Sequence, residues 1–329
     1  MAHRAQYPEA GDPPGGGEPD EEPAENETEV RETRVDLAGH GQRLDKFLVA
    51  LAPEFSRSHL QHLITQGAVC VDGQPAKQSS HKLRSGQRVV LELRPTPQSQ
   101  AFRPEVLPID IVYEDEHLMV IHKPAGWVVH PAAGHWSGTL LNALLAHHVR
   151  ATELPRAGIV HRLDKDTSGL MVVGKTLEAV TALTRAIAAR RVHREYLAVV
   201  HGEMLQAATL SQIDAPIGRD PRSRVRMAVV PTGKPARTDV ELVAVREGYS
   251  AVRCILHTGR THQIRVHLAS RGFPLVADSL YGGREALGLH RQALHAWRLQ
   301  LEHPVDGRRL VFEAPPPPDF SQAWRGVVD

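Results

Sequence analysis

The 329-residue sequence predicts an α+β fold built on a mostly antiparallel sheet. Its apolar runs are numerous and short, as strands are. A single stretch, residues 176–190, carries a long helical stripe. Strands and helices do not alternate regularly, which argues against a doubly wound parallel sheet.

The elements follow in order from about Thr33. Leu44, Phe47, Leu48 and Leu51 recur at helical spacing, and Pro53 stops that helix. Ser56 suits the N-cap of a second helix, whose Leu60, Leu63 and Ile64 share one apolar face and which Gly67 ends. Residues 68–71 form a short strand running into the tight-turn pair Asp72-Gly73, and residues 87–93 form another. Prolines at 95, 97 and 104 mark residues 94–106 as a linker. The stretch 107–325 has no inner break or repeat and reads as one domain. It opens with strands at 109–113 and 118–121, a turn at Lys123–Gly126 and a strand at 127–129. Apolar runs at 158–160 and 169–173 enclose the charged nonapeptide His-Arg-Leu-Asp-Lys-Asp-Thr-Ser-Gly, residues 161–169. Two buried strands would hold that polar stretch as a loop on a rigid scaffold. Thr176 caps the long helix, which buries Leu177, Val180, Leu183 and Ile187 and runs to Arg190. Strands at 195–200 and 251–256 complete the pattern.

Composition bounds the function. Hydrophobic residues are 41% and charged residues 23%, so a sizeable core is available. Cys70 and Cys254 fit a reducing cytosol and give neither a disulfide framework nor a CxxC metal site. No apolar run approaches a membrane span and no signal-peptide pattern opens the chain, so a cytoplasmic, membrane-free protein is expected. The net charge of +1 hides an asymmetry: residues 1–30 hold nine acids against one base, which leaves +9 on the rest. The acidic segment, rich in Pro, Gly and Glu, is expected to be disordered over residues 1–32. The basic remainder suits a polyanion binder.

Candidate chemistry centres on the nonapeptide. Asp164 beside Arg162 and Lys165 is a carboxylate that its neighbours can keep as an anion and that a loop can aim into a cleft. Asp166 reads as a turn-former bonding backbone N–H groups. Arg219, Arg222, Arg224 and Arg226 crowd a Pro- and Gly-containing loop that is either a solvated tip or a phosphate grip. His257, His262 and His267 invite a metal reading. Their spacing is not that of a helical zinc pair, no carboxylate or thiol lies among them, and Arg260 and Arg265 would repel a divalent cation. No dinucleotide fingerprint or Walker loop is present, so no cofactor and no metal are expected.

The nonapeptide resembles the signature loop of the RluA/RluD family of ribosomal RNA pseudouridine synthases. The resemblance extends through Lys123-Pro124-Ala125-Gly126, Tyr196, the run Gly259-Arg260-Thr261-His262-Gln263-Ile264-Arg265, and Pro274 to Gly283. Arg43-Leu44-Asp45-Lys46, Ser56-Arg57-Ser58 and Gly67 to Gly73 resemble an S4 RNA-binding domain, here residues 33–93. It implies a sheet split by a central catalytic cleft with Asp164 at its floor, Asp164 as the catalytic carboxylate, Tyr196 in the active site, and Arg260 as the cation paired with Asp164. Arg162 would fill the gap left by the flipped base. Arg57, Lys82, Arg84, Arg219, Arg222, Arg224 and Arg265 are the further RNA-contact candidates. Lys123, His130 and Asn142 fall in family motifs but read as structural. The implied activity is isomerisation of uridines in large-subunit ribosomal RNA or a pre-ribosomal large subunit, by a monomer. Action on another structured RNA such as tRNA, or a non-catalytic S4-type assembly factor, are the alternatives.

Overall fold

The computed structural model describes residues 29–93, 101–132, 134–205, 211–223 and 225–329. Most of the acidic tail, the first part of the linker and Arg224 therefore lie outside the described residues. The chain divides into two compact units at about residue 96.

The first unit contains β1 (Glu29–Arg34), α1 (Leu44–Leu51), α2 (Arg57–Thr65), β2 (Val69–Val71), β3 (Gln74–Pro75) and β4 (Arg88–Leu93). Its sheet runs β1-β4-β2-β3, and Asp72 and Gly73 both take positive φ in the tight turn between β2 and β3. Strand β1 begins inside the segment expected to be a disordered tail. It pairs antiparallel with β4 along its whole length, and Arg88 bonds Glu32 across the pair at 2.6 Å. Its apolar content is a single exposed valine, Val30, so pairing rather than core burial holds it.

Both helices bury their apolar faces in one core, with Leu44, Leu48, Leu60, Leu63 and Ile64 against Val69, Val89 and Leu91. The Ser56 hydroxyl caps α2 by accepting from the His59 N–H. Asp45 is fully buried between the helices and accepts from Arg43, Arg57 (Nη2 at 2.8 Å) and Gln61 (2.8 Å). Arg57, an RNA-contact candidate, is thus committed to this carboxylate, while Lys82 and Arg84 remain exposed. The Arg43 hydrogen bond, with help from Arg57 and Gln61, holds the Asp45 carboxyl far below its usual range. A depressed carboxyl contributes stability above its unfolded pKa and loses it as pH falls. The first unit is expected to weaken on acidification below about pH 4. Asp45→Asn should remove that dependence and cost about 2 kcal/mol at neutral pH, measurable by thermal melts across pH.

The second unit holds β5 (Ile111–Glu114), β6 (Leu118–Lys123), α3 (Leu140–His147), β7 (Ser168–Gly174), α4 (Leu177–Ala188), β8 (His193–His201), β9 (Gln212–Asp214), β10 (Ile217–Arg219), β11 (Met227–Val229), β12 (Arg237–Arg246), β13 (Tyr249–Leu256), α5 (Gln263–Ser270), β14 (Leu294–Glu302), β15 (Arg309–Glu313) and α6 (Pro318–Val328). Nine strands form one sheet in the order β5-β6-β7-β14-β8-β13-β12-β9, with β15 also on β14. All its pairings are antiparallel except β7 with β14. That parallel contact spans only His295↔Ser168 and Ala296↔Gly169, after which β14 offers the same edge to β15 from Arg298 onward. The sheet therefore parts in its middle. Gly169 permits the contact: its φ is +121°, and a Cβ there would lie 2.2 Å from the Ala296 carbonyl oxygen.

Several details differ from the sequence expectation. Residues 127–129 and 158–160 form no strand: the first follow a turn, and in the second Gly158 ends a 3-10 turn and Ile159 makes only an isolated bridge to Val173. Helix α4 ends at Ala188 rather than Arg190, because Arg190 takes a φ of +61°. Leu177, expected in its buried stripe, is 60% exposed, and Ala179 is buried in the first turn instead. Beyond the Pro-rich stretch, α6 places Phe320, Ala323 and Val327 in a core with Val199, Ala251 and Leu289.

Candidate active site

The nonapeptide loop runs into β7, and its backbone is fixed from several sides. The Thr167 N–H donates to the Asp164 carbonyl, closing a turn. Lys123 is buried, and its Nζ donates to the carbonyls of Pro124, Trp127 and Lys165 at 2.8, 3.0 and 2.9 Å. Arg291 Nη1 donates to the Asp166 carbonyl at 3.0 Å, and the Ser168 hydroxyl meets His295 Nδ1 at 2.9 Å. Asp166 turns the chain without the backbone hydrogen bonds expected of its carboxylate, which has no hydrogen-bond partner among the described residues; its carbonyl does the anchoring. Asn142 is structural: its side chain closes a capping box with Thr139 and bonds the carbonyls of Ala101 and Arg103.

Burial pushes the Lys123 amine down to about 7. The unfolded lysine titrates near 10.4, so between these values the unfolded chain binds the extra proton and stability rises with pH. Lys123→Met should abolish that rise. It should also leave three carbonyls without their donor, costing about 2 kcal/mol and slowing turnover several-fold while RNA affinity holds. Thermal melts at pH 7 and 9 beside single-turnover rates check this.

The Asp164 side chain, 15% exposed, lies in a cleft of about 440 Å³. Its Oδ2 accepts from Arg265 Nη1 at 3.0 Å, and its Oδ1 lies 3.8 Å from His262 Nε2. Arg265 is buried in the first turn of α5 and is held on its other side by Asp278, with Nε–Oδ2 at 2.7 Å and Nη2–Oδ1 at 2.9 Å. Its guanidinium carbon lies 5.0 Å from the centroid of the Tyr281 ring. The planar fork thus spans two carboxylates and covers an aromatic face, which only arginine can do. Burial works against its charged form, but Asp278 and Asp164 outweigh that and hold its pKa above the already high solution range.

The cation paired with Asp164 is therefore Arg265 and not Arg260, and Arg265 is not free to contact RNA. Arg260 precedes α5 on an exposed turn, and its Nε donates to the Pro235 carbonyl at 3.1 Å. Gln263 builds that turn. Its Oε1 accepts from the Thr258 hydroxyl and the Arg260 N–H, while its Nε2 donates to the Arg237 carbonyl and Thr238. His262 closes the turn at a φ of +57°, with Nδ1 2.8 Å from the Tyr281 hydroxyl. A non-glycine residue held there is strained backbone at a reactive position.

Tyr196 lies in the centre of β8, paired with Cys254 and Ala296, and lines the same cleft. Burial pushes its phenol up to about 12, so it stands as a neutral hydroxyl. Arg162 is exposed at the cleft beside Asp164. Arg219 and Arg222 are exposed on the β10–β11 hairpin side and line no part of the cleft. The three histidines of the 257–267 stretch serve separate partners: His257 meets Asp239, His262 meets Tyr281, and His267 meets Thr238 and the Ala215 carbonyl. Among the described residues no three His, Cys, Asp or Glu side chains converge as metal ligands would. No described helix is long and apolar enough to cross a membrane.

Asp278, Tyr281 and Arg194 belong to the site without having been singled out from sequence, and His262, weighed there only as a metal ligand, belongs to it as well. A signal existed for Asp278: an arginine inside the apolar helix Gln-Ile-Arg-Val-His needs a buried acid. Six arginines, at 156, 162, 190, 194, 260 and 265, line the cleft against one carboxylate, Asp164. The arrangement offers a fixed anion on the floor of a cationic groove. That suits a reaction developing positive charge on a substrate that is itself a polyanion.

Residues 117–270 match the RNA pseudouridylate synthase family, and residues 42–89 match the S4 domain. The chain is 46% identical over 92% of its length to the Ribosomal large subunit pseudouridine synthase D of Nitrosomonas europaea, covering 89% of that protein. It is 48% identical to the protein of the same name from Neisseria meningitidis, over 87% of this chain and 79% of the relative. Among solved structures it resembles Human RNA Pseudouridylate Synthase Domain Containing 1, with 28% identity, a TM-score of 0.52, and coverage of 67% of this chain and 89% of that one.

Proposed function

The chain belongs to the RNA pseudouridylate synthase family, and from that premise we propose that it converts uridine to pseudouridine in large-subunit ribosomal RNA, with Asp164 as the catalytic carboxylate. The observation that carries the assignment of the residue is the Asp164–Arg265 pair on the floor of an arginine-lined cleft. The substrate follows the printed names of relatives that are 46% and 48% identical over most of their length.

The chemistry needs few groups. The N1–C1′ bond breaks, the uracil turns, C5 joins C1′, the C5 proton leaves and N1 is protonated. No water, electron or group donor is consumed. Bond breaking builds positive charge on the sugar, which a carboxylate next to C1′ can stabilise or capture, or relieve by taking the C2′ proton. Of the two Asp164 oxygens, Oδ2 is committed to Arg265, and Oδ1 has only the distant His262 ring, so Oδ1 is the reactive one. Tyr196 supplies an apolar face for the base. A free phenolate that could remove the C5 proton would require pH near its raised value of about 12, so the neutral hydroxyl serves as wall and hydrogen-bond partner. The target uridine must leave its stack at a cost of a few kcal/mol, and Arg162 at the cleft mouth is placed to occupy the gap. The S4 unit adds phosphate contacts through exposed residues such as Lys82 and Arg84. The enzyme works as a monomer in the cytosol on the pre-ribosomal large subunit and needs neither metal nor cofactor.

Pseudouridine mapping in a strain lacking the gene tests the substrate. Loss of modification at large-subunit positions, restored by the wild-type chain, is expected. Loss confined to tRNA would reassign the target.

A further inference from the structure

Arg194 is a buried cation with no counter-ion among the described residues. It lies two residues before Tyr196 on the same face of β8 and is 6% exposed. Among the described residues no carboxylate pairs with it, and its Nε is buried without a hydrogen-bond partner. The other strongly buried arginine of the cleft, Arg265, has two carboxylates. The Arg194 Nη1 lies against Gly259, where an added Cβ would be only 3.1 Å away. Both residues line the cleft that holds Asp164.

A second unsatisfied donor belongs to another residue of the same cleft. The His161 Nε2 accepts from the Val172 N–H at 3.0 Å, so the ring proton is on Nδ1, and that atom is buried without a partner. Burial and the Arg194 charge push this imidazole down to about 3, which keeps it a neutral single donor. A guanidinium that is largely desolvated and has no carboxylate is costly unless a ligand completes it.

We propose that Arg194 binds the phosphodiester flanking the target uridine and so forms an anion seat inside the catalytic cleft. This rests on the RNA-modifying activity proposed above. The guanidinium fork matches two phosphate oxygens, and the neutral imidazole leaves its charge unopposed. A phosphodiester is charged at every stage of turnover and so offsets a permanently buried cation. The uracil is neutral on arrival and anionic only while detached.

The test uses the full chain and a short large-subunit RNA stem-loop carrying a methylphosphonate at a single phosphate, 5′ or 3′ of the target uridine. Arg194→Gln should weaken binding about ten- to a hundredfold and make the slope of log affinity against log salt shallower by about one. One of the two methylphosphonates should weaken wild-type binding by a similar factor and leave Arg194→Gln unaffected, because both remove the same contact. Arg194→Lys should recover part of the affinity. Losses that multiply, at both phosphates, overturn the proposal. So does unchanged affinity with slower single turnover at saturating RNA, which would assign the cation to the detached uracil. If Arg194→Gln does not fold by circular dichroism, the two methylphosphonate RNAs on the wild-type chain decide: no loss of affinity at either phosphate overturns it. Tritium release from C5-labelled uridine by the wild-type chain separates the two claims, since a failed seat in an active enzyme leaves the activity standing.

Discussion

Asp164→Asn is expected to abolish pseudouridine formation while RNA affinity stays nearly unchanged. The substitution keeps the shape of the side chain and a hydrogen-bond acceptor for Arg265, whose Nη1 lies 3.0 Å from Oδ2. It removes the negative charge that would meet the developing charge on the sugar. Loss of a nucleophile or its electrostatic equivalent costs roughly 10⁴-fold or more in rate. On the reading proposed above, the arginines around the cleft and the S4 unit hold the RNA, so binding should persist. The check is single-turnover tritium release from C5-labelled uridine beside a filter-binding isotherm. Turnover above a few per cent of wild type would remove Asp164 from its role. Asp166→Asn, in contrast, should retain substantial activity, since that residue anchors the loop through its carbonyl.

Arg265→Lys carries the second large effect. The lysine keeps a charge but loses the fork that bonds Asp164 and Asp278 together and covers the Tyr281 ring. Two buried or half-buried carboxylates would then share one mobile ammonium. Turnover should fall about 10²- to 10³-fold, and stability by about 3 kcal/mol. Arg260→Lys should do much less: its Nε bonds only a carbonyl, so RNA affinity and the salt slope should shift slightly while single turnover at saturating RNA holds. The reverse order of the two variants would mean that the pair seen beside Asp164 is not the working one.

These two arginines show where sequence reasoning stops. Both stand in Gly-Arg-Thr-His-Gln-Ile-Arg, and nothing in the spacing says which reaches Asp164. The answer depends on where α5 begins. It starts at Gln263, so Arg260 stays on the turn and Arg265 enters the first helical turn facing inward. Asp278, its second partner, is thirteen residues away and joins only through the fold. Asp164 and Tyr196 are not legible from spacing alone, since a charged loop suits a solvated turn equally well and Tyr196 alternates along β8 like any strand aromatic; both rest on the resemblance of their motifs. Helices α2 and α4 are legible from their Ser56 and Thr176 caps and apolar spacing, and α1 from its spacing and the Pro53 stop, which are local properties. Strand β1 is not, because an edge strand reading Glu-Val-Arg-Glu-Thr-Arg has no apolar face to show and is defined by its partner β4. Helix α6 is masked by the prolines at 315–318. The last of these is the first helical residue, where proline starts a helix instead of breaking one.

The central claim is that this chain breaks and remakes a glycosidic bond in ribosomal RNA at Asp164. It is tested most directly by incubating the wild-type protein with C5-tritiated large-subunit ribosomal RNA, in chelator and without added cofactor, and counting tritium released against pseudouridine formed. One tritium released per pseudouridine, from wild type and not from Asp164→Asn, is the predicted result. RNA bound at normal affinity with no tritium released by the wild-type chain would contradict it and leave an RNA-binding protein that performs no isomerisation.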